Sequence, residues 1–218
     1  MKKNLIFICL GVIIVLVGIW GWKQFSPIST SLIFKKSQTL PEVLHTENEE
    51  NSSLLTLGRE ILELLSVKDM AGLSLYVGEE LYFLPYPFMQ SSDRFVMQMF
   101  FARELAELPS LTGEYLRGYG DGNGEPMKLT FNDYYNQFIR DADYLTAPEI
   151  FQGTEVATRG NTIMQLADLF PGSEIIEYHI PGTIEGFDGI DRKSLYLVFV
   201  QENGSWELKA IAHGAWTI

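Results

Sequence analysis

The chain reads as an α+β protein in which an apolar N-terminal helix is followed by amphipathic helices and then by an antiparallel sheet. Three observations predict this. Residues 4–22 carry no charge over a length that crosses a bilayer as a helix. Between Leu54 and Phe170, apolar residues recur at helical spacing behind polar capping residues. From Glu174 onward the pattern turns to β-branched and aromatic residues in alternation, and Asn203-Gly204 is the strongest hairpin signal in the sequence. Helices first and sheet last describe α+β, because a parallel α/β fold interleaves the two.

A helix over residues 4–22 reaches across a hydrocarbon core of roughly 30 Å. Lys2 and Lys3 precede it and Trp20 and Trp22 sit at its far end. The positive-inside rule then keeps the N-terminus in the cytoplasm. The expectation is a single-pass cell-membrane protein held in the lipid bilayer through residues 4–22, with an extracytoplasmic C-terminal domain. The alternative is a signal peptide, with secretion after cleavage, since two lysines before an apolar run also begin such a signal. No small-x-small triplet follows the run closely, the nearest being Ser29-Thr30-Ser31, and Ile6-Phe7-Ile8 before Cys9 is too bulky for lipid attachment. Residues 23–52, with Pro27, Pro41 and a polar run ending at Ser52, read as a flexible linker. Residues 53–218 are the extracytoplasmic domain.

Cys9 is the only cysteine, so that domain has neither disulfide nor thiolate metal site and is held by its core. Its length is enough for one core. The chain carries 28 Asp and Glu against 16 Lys and Arg, a net charge of −12. Nucleic acid and anionic lipid surfaces need clustered positive charge, and both are excluded as main partners. No cofactor is expected, and no G-x-S-x-G, phosphate-binding loop, dinucleotide fingerprint or H-E-x-x-H occurs.

The elements follow in order. Leu54, Leu57, Ile61, Leu62, Leu64 and Leu65 share helix spacing behind Ser52 and Ser53. Ser66-x-x-Asp69 reads as a capping box that restarts the chain as a short helix burying Leu73 and Tyr76. Residues 81–88 are aromatic but contain Pro85 and Pro87, which predicts an irregular or edge strand. Phe95, Met99, Ala102, Leu105 and Ala106 predict another amphipathic helix. Thr130-x-x-Asp133 caps a third, on which Phe131, Tyr135, Phe138 and Ile139 share a face. A last helix is predicted over 161–170, stopped by Pro171-Gly172. Residues 174–180, 194–201 and 205–213 are strands, the last two joined at Asn203-Gly204.

Several motifs resemble an uncharacterised family of exported, membrane-anchored bacterial proteins. They are Glu177-Tyr178-His179-x-Pro181-Gly182, Asp191-x-x-Ser194-Leu195-x-Leu197-Val198-Phe199, Trp206-x-Leu208 and the terminal Ile211-x-His213-x-x-Trp216-Thr217-Ile218. Tyr119-x-Asp121-Gly122-x-Gly124-Glu125-Pro126 and Leu129-Thr130-Phe131-x-x-Tyr134-Tyr135 extend the likeness upstream. That family usually has Asp-Gln where this chain has Gly214-Ala215, and an aromatic where it has Arg117. A looser likeness, of layout, is to nuclear-transport-factor-like domains, through a Lys68-Asp69 turn after the first helix and Gly204-Ser205-Trp206 in the last hairpin. That resemblance implies a curved sheet wrapped on a helix, with a conical pocket that serves ligands, isomerase or dehydratase chemistry, or packing alone.

Three groups could carry chemistry. Glu177 and His179 point the same way on one strand, and with His213 they make a carboxylate–imidazole candidate for acid/base work. A strand histidine tied to a carboxylate is more often structural, and three dispersed histidines are no zinc signature. Asp121, Asn123 and Glu125 open like a calcium loop, but Pro126 stands where glycine is needed and Asn132 where the bidentate Glu belongs, so a tight turn is the simpler reading and no metal is expected. Asp141, Asp143, Tyr134 and Tyr144 close the third helix, and Asp141 joins the catalytic candidates if the helix ends before it. Tyr134, Tyr178 and Trp216 are the pocket candidates. Trp216 and Ile218 reach the buried face if Gly214-Ala215 makes a bulge. The function expected is a binding or accessory domain of the cell envelope, for an envelope protein or a small molecule. A lyase or isomerase using the His/carboxylate pair is the alternative, and a purely structural protein comes third.

Overall fold

The computed structural model describes residues 46–88, 96–120, 122–156, 158–159, 163–184 and 189–216. The anchor at 4–22, most of the linker, Asp121, Asn161 and Ile218 lie outside the described residues. Among the described residues no helix is long and apolar enough to cross a membrane.

The first helix, α1 (Thr46–Ser66), buries Leu54, Ile61, Leu62 and Leu65, the stripe that its 3.6-residue period puts on one side. Its end differs from the expected capping box. Ser66 Oγ donates back to Glu63 O, and Lys68 turns the chain with φ 57°. Asp69 itself is the N-cap of α2 (Met70–Leu73), accepting from Gly72 N at 2.8 Å. Next comes β1 (Glu80–Leu84), an interior strand and not an edge, because Pro85 and Pro87 fall beyond its end and leave its donors free. The helix expected around Met99 is instead β2 (Gln98–Phe101) followed by a 3₁₀ segment, Ala102–Ser110. Pairing with β1 and the β-preferring Phe100 and Phe101 override the helical spacing, yet Leu105 and Leu108 still reach the core.

Strands β3 (Tyr115–Tyr119) and β4 (Pro126–Leu129) form a separate ribbon. Thr130 caps α3 (Phe131–Tyr134) as expected, accepting from Asp133 N at 3.1 Å. A π-helical turn, Tyr135–Ile139, continues α3 and stops at Arg140, which leaves Asp141 beyond the helix. After β5 (Glu149–Gly153), only Leu166–Leu169 of the expected last helix is described as one, α4. Then come β6 (Glu174–Ile180), β7 (Lys193–Glu202) and β8 (Ser205–Ala215), with Asn203 (φ 52°) and Gly204 (φ 82°) in the left-handed turn that the Asn-Gly pair predicts.

The sheet is curved and mixed, in the order β2-β1-β8-β7-β6-β5. It is not purely antiparallel, because β1 lies parallel to β8, with Tyr82 opposite Ala210 and Leu84 opposite Ala212. The register shift of β8 falls beside Lys209, between the pairs Phe199↔Leu208 and Val198↔Ala210, and not at Gly214-Ala215. Both faces are covered. α1, α2 and α3 pack with Phe83, Tyr178, Leu195, Leu197 and Ile211 on one face. Leu84, Ile175, Tyr196, Val198 and Ala212 line the other, under Val156, Leu166 and Phe170. This double burial explains why β7 is an unbroken apolar run and not an alternating one.

Candidate functional site

Strand alternation and register divide the expected histidine group between the two faces. Glu177 lies opposite Tyr196 and His179 opposite Ser194, which in turn faces Gly214. His213 lies opposite Leu195, whose other neighbour is Tyr178. Cross-strand partners share a face, so Glu177 and His179 sit away from α1 while His213 sits toward it. The structure therefore does not bring His213 to Glu177 and His179.

On the face away from α1, Glu177 is fully buried. Its Oε1 accepts from Ser194 Oγ at 2.7 Å, Arg159 Nε at 3.0 Å and Tyr196 OH at 3.2 Å, while Oε2 has no partner. His179 Nδ1 lies 2.7 Å from Ser194 Oγ. Since the serine gives its proton to the carboxylate, it accepts from Nδ1–H, and the His179 lone pair is left on Nε2. Burial, with the charge of Arg159, lowers the His179 pKa against the opposing pull of Glu177, which keeps the ring neutral at pH 7. Ser194 is a bridge and not a nucleophile, because its proton is already committed to Glu177. Arg192, buried, donates to Arg159 O at 2.6 Å and covers the Trp216 ring at 5.2 Å. Ser194 and Tyr196 share a face of β7 by its period of two, but their approach to Glu177 depends on the β6–β7 register. Arg159 arrives from a loop and left no signal.

On the helix face, Asp141 gathers the other histidine. His213 Nε2 is 3.2 Å from its Oδ2, Lys193 Nζ 3.0 Å from the same oxygen, and Tyr144 OH donates to Oδ1 at 2.8 Å. Burial raises the Asp141 carboxyl, but the bonds and charges of His213, Lys193 and Tyr144 outweigh it and hold it down at about 2. His213 stands edge-on to Phe138, and its Nδ1 is buried without a partner. Both carboxylate oxygens are occupied, so this group ties the end of the α3 turn to β7 and β8.

Of the pocket candidates, Tyr178 lines one. A cavity of about 220 Å³ opens between α1 and the β5–β6 edge, walled by Leu55, Leu62, Leu145 and Ile150, with Arg59 and Gln152 beside them. Gly58 is needed above it, since a Cβ there would collide with the Tyr178 hydroxyl, which is buried and unpartnered. Tyr134 is core, edge-on to Phe83, and does not line this cavity. Trp216 lies past the end of β8, half-buried under Arg192, because no bulge at Gly214 carries it to the expected face. Gly214 serves Tyr196 instead, whose ring a Cβ would meet at 2.7 Å.

The Asn123 side chain is spent within the β3–β4 turn, where Oδ1 accepts from Glu125 N at 3.0 Å and Gly120 N donates to Glu125 O at 2.8 Å. No group of metal-binding side chains occurs among the described residues. One residue without a role in the sequence reading is conspicuous here. Arg117 is fully buried on β3, with Nη1 and Nη2 unpartnered and three aromatic rings around it. Ring faces return about 0.5–2 kcal/mol each, whereas burying an ion costs several.

No protein-family model, curated protein or solved structure matches the chain.

Proposed function

We propose that the chain is a membrane-anchored, extracytoplasmic binding module of the bacterial cell envelope, and that its domain holds a small apolar ligand between α1 and the β5–β6 edge. The observation that carries this is the cavity itself: about 220 Å³ with four aliphatic walls, opening at Leu55 and Ile150, both exposed. Its size suits a short acyl or aromatic group. A curved sheet packed on a helix with a cavity between them also supports the nuclear-transport-factor-like cone.

A second reading rests on the Glu177–Ser194–His179 chain, which leaves Nε2 as a neutral base for a lyase or isomerase. Binding comes first because the cavity lies on the opposite face of the sheet from His179.

The full chain in non-ionic detergent is expected to bind a fluorescent aliphatic probe at one site, and Ile150→Glu, at the exposed rim, to weaken it at least tenfold without loss of fold. Unsaturable binding, or equal binding by the variant, overturns the reading. A phosphatase fused after Ser53 should be active outside the cell and stay with the membrane after alkaline washing; activity restricted to the cytoplasm overturns the topology.

A further inference from the structure

Arg117 differs from other arginines of the domain. Arg59 faces Glu63, Arg140 faces Asp143 and Arg159 faces Glu177, each an ordinary ion pair. Arg117 is 0 % exposed, yet no carboxylate reaches it among the described residues. Its Nε points to Leu129 O at 3.5 Å, the outer limit of a hydrogen bond, and both terminal nitrogens are unpartnered. Around the guanidinium stand the rings of Tyr115 and Tyr134, each at 5.2 Å, and Phe100 at 5.6 Å. Arginine stays charged in proteins, so the fold buries a cation and supplies against it three π faces and one carbonyl at the limit of a hydrogen bond.

Two of the walls are fixed and one is not. Phe100 and Tyr134 are buried in the main core. Tyr115 is 38 % exposed at the first position of β3, on a ribbon that pairs with no other strand among the described residues. Its ring meets Phe100 edge-on at 6.3 Å and is open to solvent on its outer side.

We infer that Arg117 is half of an ion pair completed by a ligand, a small aromatic carboxylate that enters beside Tyr115. The two free Nη groups form a fork that matches both oxygens of a carboxylate, and the flat ring behind the carboxylate stacks among Tyr115, Phe100 and Tyr134. The site is separate from the cavity under α1, which none of these residues lines. Because the chain carries a net charge of −12, a carboxylate gains nothing from general attraction to the protein, and binding here reports the local fork.

The test is thermal unfolding of the full chain in non-ionic detergent, at constant ionic strength, with benzoate, acetate, phosphate or chloride added. Benzoate is expected to raise Tm saturably, by roughly 3–6 °C at ten times its dissociation constant, with acetate weaker and phosphate no better than chloride. Arg117→Met keeps the volume, removes the unpaired charge, and is expected to fold with an undiminished Tm and no benzoate shift. Equal shifts for benzoate and chloride, or an equal benzoate shift in Arg117→Met, overturn the inference. If Arg117→Met does not fold, the ¹⁵N resonance of Arg117 Nε–H in the unmodified chain decides: movement on benzoate addition supports the site, and a stationary signal overturns it.

Discussion

The two faces of the sheet each hold a histidine and a carboxylate, and they use them differently. Toward α1, Asp141 has both oxygens occupied by His213, Lys193 and Tyr144, and the group joins a helix end to two strands. Away from α1, Glu177 receives three donors on one oxygen and none on the other, with Ser194 set between it and His179. A carboxylate saturated by partners is a clamp. One held at a single oxygen, with a neutral imidazole at the end of its chain, keeps an acceptor open to a further donor. The lesson is that pairing a histidine with an acid says little until each lone pair has been counted.

Breaking the two groups should separate them. Glu177→Ala is expected to cost the most, roughly 3 kcal/mol, because it strands Ser194, Tyr196 and the inner end of Arg159 in a site that water does not reach. The midpoint of urea unfolding measures it, and a loss below about 1 kcal/mol would make the buried network dispensable.

Asp141→Asn is expected to cost on the order of 2 kcal/mol at pH 7, with a dependence on pH. In the fold the Asp141 carboxyl is held at about 2, below its ordinary 3.8. Its contribution is therefore complete above about pH 4 and is lost as pH falls toward 2. Stability curves of the natural chain and of Asp141→Asn should converge over that window, and parallel curves would show that Asp141 is not clamped.

Gly214→Ala tests the face away from α1 by crowding. The new Cβ would meet the Tyr196 ring at 2.7 Å, so a loss of roughly 1–3 kcal/mol is expected, with His179 displaced through Ser194. A neutral result would show that Tyr196 moves freely. The smallest effect belongs to Trp216→Ala, about 1 kcal/mol, since half-burial under Arg192 replaces the core position that a bulge at Gly214-Ala215 would have given it. A loss of 3 kcal/mol or more would return Trp216 to the core.

Particular residues show how far the site could be read. Glu177 and His179 were legible as a pair because a strand has a period of two, whatever surrounds it. Asp141 and Tyr144 were legible as neighbours at a helix end. His213 was joined to the wrong pair, because the face it occupies depends on its register with Leu195, set across the Asn203-Gly204 hairpin and shifted beside Lys209. Arg159 comes to Glu177 from 18 residues away through a loop, and no local pattern encodes that approach.

By itself the sequence determined what short-range chemistry determines: the apolar stripe of α1, the Thr130 cap, the Asn203-Gly204 turn, the α+β class and the acidic, cysteine-poor character of the domain. Each depends on residues within a turn or two of one another, where backbone sterics and hydrogen bonding act alone. Only the tertiary structure decided that β1 joins β8 in parallel, that β2 replaces a helix, that the two histidines stand on opposite faces, and that Arg117 is enclosed by three rings. These contacts join parts of the chain far apart in sequence, where packing both faces of one sheet outweighs local preference.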